Sequence, residues 1–162
     1  MKFRPNWGTH IPALIEVLNK SHGPVLELGM GISSTPLLHA MCADQNRHLV
    51  SYDDNPTFIN LFKRFKNSNH EIELVEDWDK VPLELCKGEH WGMVLVDHHP
   101  DERRYREIER LAHTADYLVV HDTEPANDDI YQYSKVYNLF KYKTVYGKFN
   151  PCTTVLSNKY EH

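Results

Sequence analysis

No apolar run in the 162-residue chain approaches the ~20 residues that a bilayer-crossing helix needs. The opening stretch, MKFRPNWGTH, carries no hydrophobic segment of the signal-peptide kind. Cysteine is sparse. Cys42, Cys86 and Cys152 form no close-spaced pair, and an odd number of thiols suits a reducing cytoplasm better than a disulfide framework, so all three read as packing residues. Positive charge is in deficit: a formal charge of -5 and a pI near 6.1 argue against a surface that coats nucleic acid, which depends on neutralising phosphates. The short basic stretch Lys63-Arg64-Phe65-Lys66 reads as a solvated helix face. There is no internal repeat, low-complexity segment or linker. The expectation is a cytoplasmic chain of one domain, residues 1–162, with no membrane and no nucleic acid among its partners.

What the sequence does have is alternation. Residues 11–21 space Ile11, Leu14, Ile15 and Leu18 as a helix, and His22-Gly23-Pro24 ends it. PVLELGM then reads as a buried strand and SSTPLLHAMCADQ as a helix opened by Ser/Thr caps. RHLVSYDD is a second strand, and NPTFINLFKRFKN a helix with Asn55 as N-cap and Pro56 in its first turn. HEIELVED, HWGMVLVDH and ADYLVVHD supply strands three to five, the fourth apolar enough to be central in a parallel sheet. DERRYREIERLAHT and NDDIYQYSKVYNLF read as helices, and YKTVYGKFNPCTTVLSN as two strands of an antiparallel hairpin. This pattern predicts an α/β doubly wound, Rossmann-like sheet of five parallel strands plus a C-terminal antiparallel β-pair. Its ligands should collect at the C-terminal strand ends.

Those strand ends carry the polar residues. After strand one, VLELGMGISST places Glu27, then Gly29 and Gly31, which let the backbone turn and approach a ligand, then Ser33 and Ser34, which can cap the next helix. Strand two ends in Asp53-Asp54, and an acid there can accept both hydroxyls of a ribose. Strand three ends in Glu76-Asp77-Trp78: Asp77 is an acid for an exocyclic amine, and Trp78 an aromatic that can stack on a purine. Each signal alone is weak, since two glycines commonly mean a tight turn and strand-end acids commonly cap helices. Their succession at three strand ends is what carries weight.

Together these residues resemble the class I S-adenosylmethionine-dependent methyltransferases over nearly the whole chain, from about residue 10 to 157. VLELGMGISST looks like that family's first motif, with Glu27 as its acid. Ser34 stands where G-x-G-x-x-G would have a third glycine, which disfavours a dinucleotide. Within the superfamily the chain is most similar to small metal-dependent O-methyltransferases of the catechol type. SYDDNP then implies Asp53 in the ribose role, LVDHHPDERRY implies Asp97 as a metal ligand and His98 beside the adenine, and VVHDTE implies Asp122 as a second ligand. Thr123 replaces the asparagine that this group places next, which leaves His121 and Glu124 as candidates for a third ligand. Mg²⁺ or Mn²⁺ would suit the oxygen donors, and a histidine ligand would tilt towards a transition metal.

Pro100 stands where the catechol-type enzymes have a basic lysine, so His99 becomes the candidate general base, beside Asp97 and Asp122. The resemblance also implies that the segment before strand one, with Trp7 and His10, folds over the cofactor. With so little ahead of that strand, a small substrate requires a lid from a second copy, as a homodimer would supply, or the site stays open to something larger. The resulting expectation is transfer of a methyl group to a small-molecule hydroxyl, with or without a divalent metal. The alternatives are N-methylation or metal-assisted hydroxylation on the same fold, and a non-catalytic nucleoside- or partner-binding domain. Arg103, Arg104 and Arg106 read as a helix surface, though Arg103 or Arg104 also suits an anion anchor or a brace for the cluster.

Overall fold

The computed structural model describes residues 5–86 and 88–162. Its strands are β1 (Val25–Leu28), β2 (Leu49–Asp53), β3 (His70–Leu74), β4 (Met93–Val96), β5 (Leu118–His121), β6 (Tyr142–Tyr146) and β7 (Thr153–Ser157). They form one sheet in the order β3-β2-β1-β4-β5-β7-β6. β1 to β5 run parallel, β7 is antiparallel to β5, and β6 is antiparallel to β7. The α/β reading with a closing antiparallel pair is therefore correct. Order reverses between β1 and β4, the switch point at which doubly wound sheets hold their ligands.

Helices α1 (Ile11–Lys20), α2 (Ser34–Asp44), α3 (Pro56–Phe62) and α4 (Arg104–Leu111) cover the sheet. Pro12 sits in the first turn of α1, and Asn55 caps α3 by accepting the Thr57 amide at 2.9 Å. Strand residues alternate between the two faces of the sheet, and this parity sorts their side chains. Val25, Met93, Leu95 and Val119 pack with Leu14, Val17 and Leu38 on the α1/α2 face. Leu26, Val94, Val96 and Val120 pack with Ile108 and Leu111 on the α4 face. By the same alternation Glu27, Asp97 and His121 belong to the first face, and His98 and Asp122 to the second.

The long helix expected over 127–140 is not formed. Only Asp128–Tyr131 is α-helical (α5), because Gln132 turns into the left-handed region at φ 56°, and two 3₁₀ turns follow. Aromatic packing outweighs helical continuity here. Tyr131 and Tyr133 stack at 5.2 Å, and the buried Tyr133 hydroxyl donates to the His121 carbonyl at 3.0 Å. Of the three thiols read as packing residues, Cys42 is buried but Cys86 is exposed. Among the described residues no helix is long and apolar enough to cross a membrane.

Gly29, at φ 94°, lies where the ends of β1 and β4 pass closely. A Cβ there would lie 2.5 Å from the Asp97 carbonyl and the His98 nitrogen. Gly29→Ala should cost more than ~1 kcal/mol from the left-handed conformation alone, with the clash adding to it. Urea unfolding would show the loss, and a variant as stable as the wild type would disprove this account of the crossing.

Candidate active site

A cavity of about 290 Å³ opens at the C-terminal ends of β1, β4 and β5. Met30, Gly31 and Ile32 line it from the loop after β1, Phe58 from α3, and Trp7 and His10 from the turn preceding α1. Asp97, Arg104, His121 and Asp122 form its polar wall. A larger cleft of about 950 Å³ lies at the opposite end of the sheet, around Pro24, Arg47 and His90. Arg47 there is spent on holding loops, donating to the carbonyls of Gly23 and Leu18. The smaller cavity is the one where titratable groups converge, and it sits where this architecture places chemistry.

Arg104 organises the polar wall. Its guanidinium lies 3.0 Å from Asp122, 3.2 Å from Asp97 and 3.3 Å from Asp101, while Nε donates to the His98 carbonyl at 2.6 Å. Its cation also lies 5.1 Å from the Tyr131 ring centre. Burial alone would raise the Asp97 pKa, but Arg104 and then His121 outweigh it and hold the carboxyl well below the usual range. The Arg104 guanidinium thus joins the two aspartates expected as metal ligands. Asp122 also takes a left-handed backbone at φ 56°, a conformation tolerated by aspartate and concentrated at functional sites.

Two buried imidazoles face this wall. His121 Nδ1 lies 3.2 Å from Asp97 Oδ1, and Nε2 lies 2.8 Å from the Thr9 hydroxyl. Burial opposes protonation of His121, but Asp97 and then Asp122 reverse the balance and raise its pKa. His10 meets the His121 ring edge-on at 4.7 Å, is only 2% exposed, and has no hydrogen-bond partner on either nitrogen. Burial pushes it down to about 4, so it is neutral at pH 7. An unmet buried polar group costs about 1–3 kcal/mol, so His10 is held at some expense to stability.

Glu27 lies beneath the glycine loop, fully buried, and accepts the hydroxyls of Ser34, Thr35 and Ser51 at 2.7, 3.0 and 2.6 Å. Burial dominates over these bonds and pushes its carboxyl from 4.5 up to about 7. A raised acid favours the folded state in its neutral form. That contribution is complete below pH 4.5 and disappears as pH rises through about 7. The shift corresponds to roughly 3 kcal/mol. Glu27→Gln cannot ionise, so the stability of wild type relative to variant should fall by about that amount between pH 4.5 and 8. Asp53, His10 and His70 titrate in both proteins and drop out of the difference. Denaturant unfolding at both ends of the range measures it, and a difference constant with pH would refute the coupling.

Asp53 receives the Met30 amide at 2.6 Å and the Asn55 amide at 2.7 Å, one on each oxygen. Burial raises its pKa to about 6. Each oxygen keeps a lone pair, so the carboxylate can still accept further donors.

Several sequence-predicted site residues lie elsewhere. Trp78 and His98 stack on one another at 4.2 Å on the α4 face, and His98 Nε2 lies 3.1 Å from Glu107. Both are buried and neither lines the cavity, because His98 shares the parity of Val94 and Val96. Asp77 caps the 3₁₀ turn Trp78–Lys80 and pairs with Lys80 at 3.1 Å on a separate surface cleft. The side chain of His99 is 75% exposed, lies 3.7 Å from Asp101 and does not line the cavity, so it is not placed to act as base there. Glu124 accepts the Cys152 amide at 2.7 Å and lines another pocket, away from the wall that Asp97 and His121 share. Ser33 begins α2 without a side-chain capping bond. Arg104, read in sequence as helix surface with a brace for the cluster as the alternative, takes the brace position and is the hub of the site.

No family model matches the chain, and no curated protein is similar enough in sequence to set beside it. Solved structures do match. A putative O-methyltransferase from Klebsiella pneumoniae superposes with a TM-score of 0.65 at 12% identity, over 98% of this chain and 82% of that one. The O-methyltransferase TomG from Streptomyces achromogenes, solved with SAM, gives 0.64 at 14% identity, over 94% and 79%. The METTL16 MTase domain gives 0.67 at 11% identity, over 99% and 70%. The chain has the class I methyltransferase fold. Identities this low establish the methyltransferase architecture and its switch point.

Proposed function

We propose that the chain is an S-adenosylmethionine-dependent methyltransferase acting on a small-molecule hydroxyl. The observation that carries this reading is the convergence, at the switch point of a methyltransferase fold, of the Met30–Gly31–Ile32 loop with the Asp97–His121 pair on one cavity. The residues fit the methyl donor. A Cβ on Gly31 would meet only the Ser34 hydroxyl, at 3.1 Å, so the loop backbone is approachable, and Asp53 stands with lone pairs to spare at the β2 end. Trp7 and Phe58 supply apolar wall.

The donor brings a sulfonium methyl that is already activated, so the protein's part is to align it with an acceptor and to ease loss of the acceptor's proton. The Asp97–His121–His10 cluster does the second. Thr9 marks the position: its hydroxyl, 2.8 Å from His121 Nε2, shows that an O–H fits against that ring. Asp97 fixes the ring from the other side. A volume near 290 Å³ is at the small end of ligand pockets, which favours a compact acceptor.

Calorimetric titration with S-adenosylmethionine should give a one-to-one isotherm, and Asp53→Ala should weaken it by about tenfold or more, the ~1.5–3 kcal/mol scale of a hydrogen bond to a charged group. Absence of heat and of thermal shift with the wild-type chain would overturn the reading.

A further inference from the structure

We propose that His10, Asp97 and His121 form a three-ligand site for a borderline divalent transition ion of the Zn²⁺ type. One ligand atom from each lies within 4.8 Å of the other two. His121 Nδ1 and Asp97 Oδ1 are already 3.2 Å apart. Bond lengths of ~2.0–2.2 Å put neighbouring ligands of a tetrahedral ion roughly 3.3 Å apart, so this edge is close to formed. His10 must approach by up to about 1.5 Å to complete the site, and it is the group with a reason to do so. It is 2% exposed with both nitrogens unpartnered, directly against the His121 ring.

The supporting contacts agree. Thr9 engages the far nitrogen of His121, and Arg104 holds Asp97, as outer groups do around ligating histidines and carboxylates. Charge agrees too. One guanidinium faces the three carboxylates of Asp97, Asp101 and Asp122, an excess of two negative charges that a dication would balance. Two imidazoles and a carboxylate select borderline ions over Mg²⁺, and three protein ligands leave a position open for water or an acceptor oxygen. This deepens the proposed activation of the acceptor, with the cluster acting as ligands. Ion binding itself does not depend on methyl transfer.

The test uses the full chain after chelator treatment, titrated separately with ZnCl₂, CoCl₂ and MgCl₂. Zn²⁺ should bind one-to-one and raise Tm by ~5–10 °C at a hundredfold excess over Kd. Co²⁺ should show visible d–d bands without a thiolate charge-transfer band. His10→Ala and Asp97→Asn should each weaken Zn²⁺ by more than the ~10–100-fold that loss of an outer group costs, while Glu124→Gln leaves it unchanged. His10→Phe should abolish Zn²⁺ binding and its Tm gain while the metal-free protein stays folded, so that loss of binding is not loss of the fold. Binding indifferent to His10, no binding, or Mg²⁺ binding that Asp122→Asn abolishes would each overturn the proposal. S-adenosylmethionine calorimetry on the same samples tells its failure apart from failure of the methyltransferase reading.

Discussion

Replacing Arg104 by methionine should cost the fold about 3–5 kcal/mol, the scale for removing one partner of a buried ion cluster. The side chain is 4% exposed, and every face of it is in use: three carboxylates, the His98 carbonyl and the Tyr131 ring. Methionine matches the length but leaves Asp97 and Asp122 as like charges at the mouth of one cavity, with a buried carbonyl unanswered. Arg104→Lys should recover less than half of the loss, because an ammonium cannot reach Asp97 and Asp122 in parallel while donating to His98. Thermal and urea unfolding at pH 7 give the number. A loss below about 1 kcal/mol would place the cluster among ordinary surface pairs, whose worth is ~0–1 kcal/mol.

The fate of Arg104 shows what the sequence can and cannot convey. Arg104, Ile108 and Leu111 share one helical stripe, all buried in α4, so the spacing held a signal. The run Arg103-Arg104-Tyr105-Arg106 hides it, since in isolation each arginine looks solvated. The succession of strands and helices along the chain was legible because hydrophobic runs, Gly-Pro breaks and capping residues are local. Asp97 and Asp122 were found as strand-end acids for the same reason.

Their partners were not local. His10 meets Asp97 and His121 only because the turn before α1 folds across the ends of β4 and β5, a contact that no spacing encodes. The misplacement of His98 has a narrower cause. It comes directly after Asp97 but keeps the parity of Val94 and Val96, and there Trp78 and Glu107 hold its ring on the α4 face, whereas the left-handed backbone of Asp122 lets that residue line the cavity beside His121. Which side held the cavity depended on where α1 packs. The helix expected over 127–140 failed for a related reason: the apolar positions were correctly seen, but the Tyr131–Tyr133 stack, the Arg104 cation over Tyr131 and the Tyr133 hydrogen bond to the His121 carbonyl determined their path.

The same geometry sets the largest expected kinetic effect. His121→Ala should lower kcat by about 10²–10⁴-fold, the range for loss of a positioned proton-transfer group, while S-adenosylmethionine affinity stays within about threefold. The split follows from the proposed placement: His121 and Asp97 would serve the acceptor, whereas Gly31 and Asp53 would serve the donor and, among the described residues, make no hydrogen bond to either. Asp97→Asn should fall in the same range, and the double variant should be no slower than the slower single one, because the two groups act as a unit. Formation of S-adenosylhomocysteine with a vicinal diol such as catechol as acceptor provides the assay. His99→Ala serves as the contrast, since its exposed ring touches nothing in the cavity, and its rate should stay within about threefold of wild type. If His121→Ala retained full kcat while His99→Ala lost it, the chemistry would lie on the outer face of the β4 end, and the buried cluster would be only structural.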